Sequence, residues 1–175
     1  MPHSSIHLRQ MAIQRLFGVS FGMPRFFLFL LALFSLLIAR AMAAPDVVAH
    51  AVAGSDYISA KGAMIESIEN EGLVVGAVIP FRDMLVRTGG ETGSPYRDAE
   101  VIQFCSSIVA RQIVLEDPEQ IAFCPMMVAI YVTKAQPEIV VMAYRRPAEG
   151  SSARQAAAQL LEKIVRRAVE LAPLK

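Results

Sequence analysis

The sequence predicts an α+β domain, and three observations carry that prediction. Short runs rich in β-branched residues are separated by segments with helical spacing, glycine and proline clusters punctuate them, and two strand-like runs near the end are joined by a four-residue turn. The order read from these signals is β-α-β-(loop)-β-α-β-β-α.

Residues 47–53 form an apolar stretch suited to a first strand, and the turn Gly54-Ser55-Asp56 can cap a helix after it. Over residues 57–70 Ile58, Met64, Ile65 and Ile68 fall near helical spacing, with Lys61, Glu66 and Glu69 opposite and Gly72 as the stop. Gly62 in mid-helix costs about 1 kcal/mol relative to alanine, so the helix depends on tertiary contacts. Residues 73–79 make a second strand ended by Pro80. Residues 81–98 hold one turn of helix and then a loop built on Gly89, Gly90, Gly93 and Pro95. A third strand covers 99–105. Ser106 and Ser107 can cap a helix running to Leu115, which Asp117-Pro118 closes. Strands at 126–133 and 138–144 are linked through residues 134–137 as a hairpin. The last helix, 152–171, opens with a Ser152/Gln155 capping box. Its apolar stripe contains Ala153, Ala157, Leu160, Leu161, Ile164, Ala168 and Leu171, and its wet face contains Glu162, Lys163, Arg166 and Arg167.

Upstream of the domain, Arg25 precedes an uncharged apolar run over 26–39, and Ala41-Met42-Ala43 supplies a small-x-small cleavage pattern. Spanning a bilayer takes about 20 apolar residues, more than this run provides before Arg40. Residues 1–43 therefore read as a secretory signal segment and residues 44–175 as one domain, periplasmic or secreted, that meets the membrane only through the signal before cleavage. Met1, Met11 and Met23 are each possible starts. Four of the 17 basic residues and none of the 16 acidic ones lie in residues 1–43, which leaves 13 against 16, a formal charge of −3. No basic patch suggests nucleic acid.

The candidate chemistry is sparse. Cys105 stands where a strand feeds a helix, whose free N–H groups favour a thiolate, but Phe104 beside it argues for a dry, inert thiol. A Cys105–Cys124 disulfide requires that their strands be antiparallel neighbours. Met126, Met127 and Met142 near Cys124 offer soft ligands for Cu(I) or a haem iron, although methionine is common core filler and no Met-x-x-Met spacing occurs. His50 is the one histidine after residue 43, and no hydrolase elbow, zinc-protease helix or phosphate loop is present. Nothing marks an enzyme, and the residues name no particular cofactor.

Pairing Ile130 with Val141 across the hairpin predicts one apolar face with Met126, Val128, Ile130, Val132, Ile139, Val141 and Ala143. It predicts a second with Met127, Ala129, Tyr131, Val140, Met142 and Tyr144. A sheet with helices on one side should be polar on the other. Met127, Tyr131, Met142 and Tyr144 are thus expected to form a covered patch, buried by a second copy or by a ligand. Cys105, Cys124 and Met126 are the expected binding residues.

Glu71-Gly72-Leu73, Phe104-Cys105 entering a helix, Asp117-Pro118, Cys124-Pro125 and a following strand with Tyr131 together resemble the bacterial and archaeal domain-of-unknown-function-302 family. The similarity spans residues 51–172. It implies a curved, mainly antiparallel sheet backed by helices, a dimer, and no agreed activity. Family members show Cys-Asn-Pro at the strand-to-helix junction and Pro-Cys before the later strand. Here these read Cys105-Ser106-Ser107 and Cys124-Pro125-Met126, so a function requiring both family cysteines does not carry over directly. The expectation is an exported, non-catalytic binding or assembly domain, a homodimer able to hold a small apolar ligand. The alternative is a periplasmic thiol-linked or metal-linked redox protein using Cys105.

Overall fold

The computed structural model describes residues 46–173, so the expected signal segment and the expected cleavage site at residues 43–44 lie outside the described residues. Strand β1 (Val47–Ala53) leads to helix α1 (Tyr57–Asn70), strand β2 (Val75–Ile79) and helix α2 (Phe81–Gly89). After a 3-10 turn (Glu91–Gly93) come β3 (Tyr96–Phe104), α3 (Ser107–Glu116) and a second 3-10 turn (Pro118–Phe123). Strands β4 (Met126–Thr133) and β5 (Ile139–Arg145) precede the long helix α4 (Ser152–Leu171).

The five strands form one sheet in the order β1-β5-β4-β3-β2, with every neighbouring pair antiparallel. Helices α1 and α4 pack on each other and close one face of it. Ala60, Ala63, Met64 and Ile68 of α1 and Ala157, Leu161, Ile164 and Ala168 of α4 are buried there with Ile102, Val128, Ile130, Val132, Val140 and Met142. The small side chains bring the helix backbones close enough for the buried Ser67 hydroxyl to donate to the Ile164 carbonyl at 2.8 Å.

Local caps follow the sequence. Asp56 accepts the Ser59 N–H at 2.9 Å to begin α1. Gly72, at φ +71°, ends it, and the Leu73 N–H reaches back to the Ile68 carbonyl at 3.4 Å. Ser106 caps α3 by accepting from Val109.

Four expectations shift. The face of α1 that enters the core is Tyr57, Ala60, Ala63, Met64, Ser67 and Ile68, and Ile58 is 73% exposed. Alanine and serine carry too little hydropathy for the pattern to reveal that face. Residues 81–98 contain a nine-residue helix rather than one turn, and β3 begins at Tyr96 instead of Ala99. An edge-on aromatic stack holds this segment, Phe81 to Tyr96 at 6.3 Å and Tyr96 to Tyr131 at 5.4 Å between ring centroids. Helix α4 is capped by Ser151, not Ser152. Finally, the hairpin register places Ile130 opposite Met142 and Tyr131 opposite Val141. One step of register exchanges the faces of β5.

Candidate functional site

That register divides the predicted patch. Met142 and Tyr144 lie under the helices, 0% and 3% exposed, while Met127, 49% exposed, and the half-buried Tyr131 lie on the opposite face. Met127, Ala129 and Tyr131 of β4 have Val141 and Ala143 of β5 as neighbours on that outer face. Beyond them stand Ala49, Ala51 and Ala53 of β1, all exposed. On the other flank Ala99, Val101 and Gln103 of β3 sit opposite Tyr131, Ala129 and Met127. Across these strands the face is apolar except for Gln103 and for Thr133 and Arg145 at its ends. Helix α2 rests mainly against β3 and the 3-10 turn that follows the helix.

A disulfide marks the strand end at which β3 stops and β4 starts. Phe104 pairs with Met126 in antiparallel register, and just beyond them Cys105 and Cys124 are bonded, with Cα atoms 6.0 Å apart. Antiparallel order is what allows the bridge. Both cysteines are thereby accounted for, and the free-thiol readings of Cys105 do not describe this oxidised form. The Cys124–Pro125 peptide is cis. Met126 is buried in the core, Met127 faces outward and Met142 is buried, so the three methionines do not converge with Cys124 on one point.

Beside the disulfide, where β4 begins and β5 ends, a cavity of about 350 Å³ opens. Phe123, Met126 and Leu161 are among its walls, with Arg145 and Arg146 also in the lining. Of the three expected binding residues, Met126 lines this cavity and Cys124 lies between two of its lining residues, Phe123 and Pro125; Cys105 does not line it. The arginines were absent from the sequence-based site because they follow an apolar strand and resemble its solvated end.

Three carboxylates do work that the sequence does not reveal. Glu116, in the last turn of α3, accepts hydrogen bonds from the hydroxyls of Ser151 and Ser152 and from the Ala153 N–H at 2.9 Å, capping α4 from outside it. These bonds, chiefly those from the serines, hold its carboxyl below the usual range. Glu162, expected on the wet face of α4, accepts from the Tyr144 hydroxyl. Burial first, and then this bond, push the Tyr144 hydroxyl up to about 12. On the core side of β3, Glu100 accepts from the Tyr57 hydroxyl at 3.0 Å and pairs with Lys61 at 2.7 Å.

No curated protein matches the chain. A crystal structure of an uncharacterised conserved protein from Bacillus stearothermophilus is similar in fold, with a TM-score of 0.60 at 12% sequence identity over 74% of this chain and 100% of that one. The family model described as "Domain of unknown function DUF302" matches residues 49–171, from β1 to the end of α4. With the model spanning nearly the whole described fold, the chain belongs to the DUF302 family.

Proposed function

We propose that this is an exported, non-catalytic binding and assembly domain that pairs with a second copy of itself through the outer face of its sheet. The observation that carries the reading is the continuous apolar surface around Tyr131, which lacks the polar side chains that water would favour on a one-sided sheet. Its size suits a dimer. The four strands β1, β5, β4 and β3, at about 4.8 Å spacing and at least seven residues long at about 3.3 Å each, span about 19 Å by 23 Å in projection. Side-chain relief adds to that area, and a stable interface needs roughly 800 Å² per partner.

A second copy suits the face better than an unrelated partner does. The exposed alanines of β1 permit close approach, and the apolar centre around Tyr131 and Met127 can meet its own symmetry mate without opposing like charges. Export is supported by the apolar run over 26–39, by the small-x-small pattern at 41–43 and by a disulfide that suits an oxidising compartment. Among the described residues no helix is long and apolar enough to cross a membrane.

Sedimentation of residues 44–175 across a concentration series tests the reading. Wild type is expected to shift from monomer to dimer, and Tyr131→Lys to remain a monomer with its helix-covered core folded, at the cost of the Tyr131 stack on Tyr96. Met127→Lys, at an exposed position outside that stack, should also stay monomeric. A wild type that stays monomeric throughout contradicts self-pairing. Mass spectrometry of the mature protein checks export, with Ala44 expected at the N-terminus.

A further inference from the structure

We infer that the cavity beside the Cys105–Cys124 disulfide is a binding site for an amphipathic carboxylate, a short apolar tail bearing one anionic headgroup. Pockets for small ligands run from about 300 to 1,000 Å³, with mostly apolar walls and a few placed polar groups, and this one has about 350 Å³. Phe123, Met126 and Leu161 supply apolar wall, and Arg145 and Arg146 supply positive charge. Among the described residues neither arginine is ion-paired with a carboxylate, although Arg146 also contacts the Tyr144 hydroxyl. Asp46 contributes one acid to the lining, and its backbone carbonyl accepts the Arg146 N–H at 2.7 Å.

The balance of charge identifies the headgroup. Residues 44–175 carry 13 basic against 16 acidic side chains, yet two adjacent arginines against one acid line this apolar cavity. A guanidinium matches a planar carboxylate through two parallel hydrogen bonds, and the adjoining walls accept only an apolar body. The disulfide keeps the Phe123–Pro125 segment in place as one wall. The site rests on the binding part of the reading above; it adjoins the outer face, since Met127 and Arg145 line it whereas Tyr131 does not.

Decanoate and decanol, titrated below their aggregation concentrations into ¹³C-methyl-methionine-labelled protein, test the site. The hosts are wild type and Tyr131→Lys. Decanoate is expected to shift the Met126 methyl saturably in both hosts, with decanol weaker by about tenfold or more, the margin of a charge-assisted hydrogen bond. Arg145→Gln, at an exposed position, should lower decanoate affinity by a similar factor and leave decanol unchanged. Equal binding of the two probes, or no shift at Met126, overturns the proposal. Met127 also lines the cavity and is expected to shift together with Met126. A shift at Met127 with none at Met126, lost in Tyr131→Lys, assigns the probe to the outer face and also overturns it, while the dimer reading stands or falls on sedimentation.

Discussion

Tyr131 lies directly opposite Val141 in the β4–β5 pair, and this single register relationship determines which side chains the domain leaves on its outer face. A shift of one residue would bring Met142 and Tyr144 outward and send Val141 and Ala143 beneath the helices. The buried Met142, at 0% exposure, shows how fully the observed register uses its inner face.

The disulfide closes a loop with a sequence separation of 19 residues. By loop-closure entropy such a bridge stabilises by about 3 kcal/mol. Cys105→Ser with Cys124→Ser should lower the urea-unfolding free energy by about that amount, and reduction of the wild type should do the same. Unchanged stability on reduction would mean that the bridge is not formed in the native protein.

Within α4, Ile164 is 0% exposed whereas Leu160 is only partly buried against the core. Ile164→Ala should cost about 2–5 kcal/mol by loss of packing and an unfilled cavity, and Leu160→Ala less than about half as much. Equal costs in chemical denaturation would contradict this phase of the helix.

The α4 cap predicts an acid-sensitive contribution to stability. Because folding lowers the Glu116 pKa, its stabilisation is present above the unfolded-state value and is lost as pH falls through the folded one. Thermal unfolding of wild type and Glu116→Gln should differ most near neutral pH and converge in acid. A gap between the two that does not change with pH would remove the charge from the account.

Much of the fold was legible because its elements announce themselves locally. Residues 47–53, 57–70, 126–133 and 152–171 coincide with β1, α1, β4 and α4, each bounded by a turn, cap or proline signal. Tertiary choices were harder to read. The hairpin register was missed because Val140, Val141, Met142 and Ala143 are all apolar, so neither face of β5 is marked by a charge. The inner face of α1 was missed because Ala60, Ala63 and Ser67 bury close helix contacts rather than hydropathy. Glu116 and Glu162 find their partners 37 and 18 residues away along the chain, distances at which no local pattern operates. The aromatic stack of Phe81, Tyr96 and Tyr131 likewise holds a segment whose residues suggested one turn of helix and then loop.

Solvent access to Met127 tests the central claim most directly. In ¹³C-methyl-methionine protein with a soluble paramagnetic agent, Met142 should be protected and Met84, 38% exposed, should be relaxed at every concentration. If the outer face is an interface, the Met127 methyl should relax like Met84 in dilute protein and become protected, like Met142, as concentration rises. A Met127 methyl as accessible as Met84 throughout, at concentrations well above those of the sedimentation series, would contradict the account.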